Sequence, residues 1–153
     1  MHLAKRFFGS LVPGGPPTEA EAWVASVLGE GEMALWRRMS GADRRHAVGV
    51  ARRVEAALGE RATDPVLAAA LLHDVGKVES GLGTFARVVA TVVGPRTPRL
   101  AQYRRHPEIG AELLRAAGSD PLTVSWAGDH HRPPERWTVP RHLADALKAA
   151  DDD

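Results

Sequence analysis

The chain has 153 residues, a formal net charge of +1 and no cysteine. That length suits one compact domain with a buried core and requires no second one. Without cysteine, disulfides, thiolate zinc sites and cysteine nucleophiles are excluded together, so any metal must sit on histidine and carboxylate. Near-neutral charge argues against a general nucleic-acid coat, although seventeen of the twenty basic residues are arginines, which grip phosphate in a bidentate way.

Lys5 and Arg6 precede Phe7-Phe8-Gly9-Ser10-Leu11-Val12, an apolar run too short for a signal sequence or a membrane span, so the chain reads as cytoplasmic. Val12-Pro13-Gly14-Gly15-Pro16-Pro17 cannot continue a helix. Residues 1–17 are therefore an arm and linker, and residues 18–153 the domain. Thr18 with Glu21 predicts a capping box opening a helix through Trp23, Val24, Val27 and Leu28, and a short helix follows around residues 33–38. Ser40 or Asp43 caps the next, whose face carries His46, Ala47, Val50, Val54 and Leu58 before Gly59 stops it.

Thr63-Asp64-Pro65 predicts the start of a central helix, apolar nearly all round over residues 66–72, that enters His73-Asp74. Phe85, Val88, Val89, Val92 and Val93 repeat at helical spacing up to Gly94-Pro95, as core or as a docking face. Pro107 opens a helix through Ile109, Leu113 and Leu114 to Gly118, Asp120-Pro121 one that runs to His130-His131, and Pro140 the last, through Leu143, Ala146 and Leu147. No strand pair and no internal repeat is legible. The expected fold is an all-α, single-domain helical bundle.

Five of the seven histidines fall at helix positions beside apolar faces. Imidazole and carboxylate together suit zinc, iron, manganese or nickel, and an Asp beside a His at a buried helix end can bridge two ions with its two oxygens. Two ions roughly 3.5–4 Å apart can hold a hydroxide and a phosphoryl group at once.

The segment Ala69-Ala70-Leu71-Leu72-His73-Asp74-Val75-Gly76-Lys77 resembles the signature of the HD superfamily of metal-dependent phosphohydrolases. His46 stands where that family has its first histidine, and Lys148-Ala149-Ala150-Asp151 resembles its closing aspartate. His106-Pro107-Glu108-Ile109-Gly110, with His130-His131 downstream, is similar to the longer ligand set of the two-metal branch that includes the HD-GYP proteins. The likeness spans residues 43–151. It implies that His46, His73, Asp74 and Asp151 hold one divalent ion and that Asp74 bridges to a second held by His106 and His130. His131 is then a further ligand or a group that orients one. The Gly-Tyr-Pro element of that branch is absent, with Arg132-Pro133-Pro134-Glu135-Arg136-Trp137 in its place. Three-metal members carry a Glu one turn before the first His where this chain has Ala42, which favours two ions.

Plainer readings stand beside each residue. His46 alone reads as a core histidine, His73-Asp74 as a helix-end hydrogen bond, His106 as a helix cap, and Asp151 as part of a solvated acidic tail that opposes its helix dipole. Lys77 is a phosphate contact or a surface lysine. Arg96, Arg99, Arg104 and Arg105 form a phosphate clamp, with Arg105 as its candidate, or a solvated basic loop. Two functions follow. One is a phosphohydrolase cleaving a phosphoester of a nucleotide or related small molecule, with Asp74 and Lys77 catalytic and two divalent transition-metal ions as cofactors. The other is a non-catalytic nucleotide-sensing module on the same scaffold.

Overall fold

The computed structural model describes residues 13–80 and 105–153. Among them are seven α-helices, three short 3-10 segments and no strand, so the chain has the all-α fold its periodicity predicts. The N-terminal arm, the valine-rich segment 85–93 and Arg96, Arg99 and Arg104 lie outside the described residues.

Helix α1 spans Thr18–Val27 and α2 spans Glu30–Arg38. The expected Thr18–Glu21 capping box does not form, because Pro17 is the N-cap and Thr18 already lies inside the helix. Glu21 instead accepts hydrogen bonds from Trp36 Nε1 at 2.8 Å and Arg44 Nη1 at 2.8 Å, which ties α1 to the next two helices. Helix α2 starts earlier than residue 33 because the Glu32 carboxylate accepts from the Gly29 amide at 2.9 Å, satisfying a donor at the helix entrance.

Helix α3, Gly41–Leu58, is capped by Ser40, whose hydroxyl accepts from the Asp43 amide at 3.1 Å, and it stops at Gly59 with φ +57°. Only glycine adopts that backbone at little cost. Helix α4, Asp64–Leu72, buries every residue from 66 to 72, as an element apolar on all sides must when it forms the centre of a bundle. Helices α5, His106–Ala116, α6, Pro121–Asp129, and α7, Arg141–Asp152, complete the set. Helix α4 is packed against α3 and α6, α6 against α5, and α7 against α3. The largest fully buried side chains include Trp36, Leu71, Leu72, Leu114, Trp126 and Leu147. Thr123, also buried, donates its hydroxyl to the Pro65 carbonyl at 3.0 Å and so locks α6 to the start of α4.

One backbone crossing decides where the two halves of the bundle meet. The 3-10 segment Val75–Ser80, just past His73-Asp74, runs against the start of α5. A Cβ on Gly76 would collide with the His106 carbonyl oxygen and stand 2.7 Å from the Gly110 amide nitrogen, while a Cβ on Gly110 would stand 3.2 Å from Gly76 N. Glycine at both positions lets His106 come down beside Asp74. Gly76→Ala is therefore expected to cost about 1–3 kcal/mol or more through backbone displacement. Gly128→Ala, whose Cβ would meet only the Ala111 methyl at 3.7 Å, is expected to be neutral or slightly stabilising. Urea unfolding of the two variants beside the parent protein checks both.

Candidate metal centre

Each residue of the site is placed by a helix end or a buried helix face. His73 sits at the C-terminal end of α4 and Asp74 in the turn that follows; His106 is the first residue of α5; His130 and His131 follow the last residue of α6. Asp151 lies in the last turn of α7, and His46 projects from the second turn of α3. His73, Asp74, His106, His130 and Asp151 are buried, His46 is partly buried and His131 is exposed. Three helix C-termini, of α4, α6 and α7, thus meet around two carboxylates. Their unpaired carbonyl ends add partial negative charge to that of Asp74 and Asp151, a field that favours a cation.

The side chains form two groups, each with its ligand atoms within 4.8 Å of one another: His46, His73 and Asp151 in one, and Asp74, His106, His130 and His131 in the other. Asp74 faces both. Its Oδ2 lies 3.4 Å from His73 Nε2, and its Oδ1 lies 3.1 Å from His106 Nε2 and 3.5 Å from His130 Nε2. Asp151 Oδ1 lies 3.0 Å from His46 Nε2 and 3.4 Å from His73 Nε2. His131 Nε2 and His106 Nε2 face each other at 3.2 Å.

These donors fit divalent metal by a test independent of spacing. His73 Nδ1 bonds the Ala70 carbonyl at 2.8 Å and His130 Nδ1 the Ala127 carbonyl at 2.9 Å, so each ring donates from Nδ1 and turns Nε2 inward, the nitrogen that an ion would take once it carries no proton. Both inward Nε2 atoms are buried and make no hydrogen bond, with only carboxylate oxygens at 3.4–3.5 Å near them, a state that is costly unless something else binds them. An ion on each side of Asp74 would satisfy both.

Electrostatics point the same way. Burial opposes a charged His73, yet the carboxylates of Asp74 and Asp151 outweigh it and push its pKa up to about 10. Burial likewise opposes a charged Asp74, but the positive charges of Lys77 and His73 hold it well below the usual carboxylate range. Asp151 is depressed too, with His46 and His73 overcoming its burial. Burial drives His130 down, and burial with neighbouring His130 and His106 pushes His131 down to about 3. His130 and His131 are therefore neutral imidazoles, the ligating form.

Lys77 Nζ lies 2.5 Å from Asp74 Oδ2, so this lysine joins the site through the carboxylate. Arg105 is exposed at the N-cap of α5, and Asp145 is exposed and paired with Arg141, away from both groups. Two contributors are not among the residues that the sequence singles out. Arg53, two turns after His46 on α3, donates Nε to the Ala150 carbonyl at 2.9 Å and fixes the turn that carries Asp151. Asp129 is buried at the end of α6, directly before the histidine pair. Arg53 shares a helix stripe with His46, which could have suggested it; Asp129 has no periodic or motif signature.

The family model for the HD domain matches residues 44–152. The chain belongs to the HD domain family. The match runs from α3 to the end of α7 and contains every residue of both groups, whereas α1 and α2 precede it. No curated protein and no solved structure matches the chain. Membership puts this HD domain in the superfamily of metal-dependent phosphohydrolases. Among the described residues, no helix is long and apolar enough to cross a membrane.

Because a proton occupies His73 until well above neutrality, a divalent ion must displace it. Between about pH 7 and pH 9 the apparent metal affinity should rise about tenfold per pH unit from this one proton, and calorimetry in buffers of different ionisation enthalpy should register its release. The metal-free protein should behave oppositely. With the folded value above the ordinary 6.5, the stabilisation from His73 is complete below pH 6.5 and is lost as the pH climbs towards 10. A metal-free melting temperature that rises across that interval would contradict this account.

Proposed function

We propose that this HD domain hydrolyses a phosphoester of a nucleotide or related small molecule at a site holding two divalent ions. The observation that carries the reading is the position of Asp74, with one oxygen facing His73 and the other facing His106 and His130. His46, His73, Asp151 and Asp74 Oδ2 would hold one ion. Asp74 Oδ1, His106, His130 and His131 would hold the other, and the donor set suits manganese, iron, nickel or zinc. Bound together, such ions activate water and neutralise charge on the phosphoryl group.

The protein's own residues supply orientation, charge and access. The carbonyls of Ala70 and Ala127 fix the His73 and His130 rings, so neither has to reorganise when an ion arrives. Lys77 brings a positive charge to the edge of Asp74, where a phosphate oxygen can compete for it. Arg105, exposed at the start of α5, offers a second cation for phosphate. His131 and partly buried His46 mark where solvent, and therefore substrate, reaches an otherwise buried site. That access suits a phosphate group carried on a small molecule.

Purified protein is expected to hold close to two transition-metal ions and to cleave model phosphoesters, with His73→Ala and Asp74→Ala each abolishing both properties. Unchanged turnover in Asp74→Ala sinks the proposal. Nucleotide binding without phosphate release at full metal loading would favour the sensing module. His106→Ala and His130→Ala should each remove about one ion and most of the activity, and the double variant should be little worse, as for groups serving one step. Full metal content and near-native turnover in either single variant would show that there is no second ion.

A further inference from the structure

Asp129 is a buried carboxylate that belongs to neither ligand group, and it stands at the C-terminus of α6, where the helix dipole disfavours negative charge. Something must hold it there. Its Oδ2 accepts from the Thr138 amide at 2.6 Å and from the Thr138 hydroxyl at 2.7 Å, and its Oδ1 accepts from Arg132 Nη1 at 3.1 Å. Its carbonyl accepts from the Arg132 amide at 2.7 Å. Both carboxylate oxygens are thus committed to the loop that leaves the His130–His131 pair, and neither turns to a metal.

The bonds close that loop at its base. Residue 138 is pinned to the helix end beside His130, and inside the closure Trp137 Nε1 donates to the Arg132 carbonyl at 3.0 Å. The Trp137 ring packs edge-on against buried Trp126 with centroids 5.5 Å apart, and Trp126 in turn lies 6.4 Å from the His130 ring. His130 and His131 fall just past the last helical residue, where backbone groups lose their helical partners and chain ends fray. The chain on the far side of the pair is tied back to the residue before it.

We infer that Asp129 is a positioning residue for the second ion: it holds His130 and His131 against His106 and Asp74 without touching the ion. The inference rests on the two-ion reading given above. Asparagine at this position could still accept from Thr138, but its amide would turn a donor towards the Arg132 guanidinium, so the clamp would open on one side. Thr138→Val removes only the hydroxyl bond and changes an exposed residue.

Co2+ titration of the metal-stripped protein, followed by visible absorption and by ion content, separates the two sites. The parent protein should take up two Co2+ in resolvable steps. Asp129→Asn should keep the first affinity and lose about 10- to 100-fold in the second, with Thr138→Val losing less. A loop anchor of purely structural importance would lower the melting temperature but leave the ratio of the two affinities, measured well below it, unchanged. That unchanged ratio in Asp129→Asn overturns the inference alone. A single Co2+ in the parent protein overturns the two-ion reading and the inference together. Should Asp129→Asn not fold, Thr138→Val decides, and an undiminished second affinity there overturns the inference.

Discussion

A carboxylate buried where three helix C-termini meet has to be matched by positive charge and polar side chains, and the rest of this molecule is arranged to meet that demand at Asp74. Lys77 and His73 lie against it from its own turn, and His106 and His130 from two other helices. No apolar packing could substitute for these partners, since an unpaired buried charge costs more than a helix contact returns. Central helix α4 supplies the depth, because its all-round apolar surface carries the His73-Asp74 turn to the middle of the bundle. The glycine crossing at Gly76 and Gly110 supplies the lateral approach that brings His106 within reach.

Much of this was legible in the residues. Helix α4, the cap at Ser40, the stop at Gly59 and the start of α6 at Asp120 follow from local chemistry that depends on few neighbours. Thr18 with Glu21 misled for the opposite reason. A carboxylate close to a helix start reads as a capping group, but Glu21 finds stronger partners in Trp36 and Arg44, which are distant in sequence. Of the site, the His73-Asp74 turn and the spaced histidines could be picked out because they resemble a known signature. Asp151 could not be distinguished from an acidic tail by sequence alone. What removes that ambiguity is its burial and its 3.0 Å approach to His46, produced by packing α7 on α3. Lys77 shows the same limit: the residues suggest a phosphate contact or a surface lysine, and the fold puts it on Asp74.

The two ligand groups draw on different parts of the chain. The first joins α3, α4 and α7, and the second joins the turn after α4 to α5 and α6. Only the turn at Asp74 is common to both. A shift of α5 and α6 together would therefore change the second group and leave the first intact, whereas any movement of α4 disturbs both.

Helices α1 and α2 lie ahead of the region matched by the HD domain model, yet they contribute Val24 and Trp36, neither with any exposed surface, to the same core cluster. Arg44, at the first matched residue, is ion-paired with Glu21 of α1 at 2.8 Å. A chain trimmed to the matched span would lose the cover over its own core and present a greasy flank to solvent. The boundary drawn by family likeness is thus narrower than the unit that shares one core, and a fragment cut there would be prone to self-association before its metal chemistry could be examined.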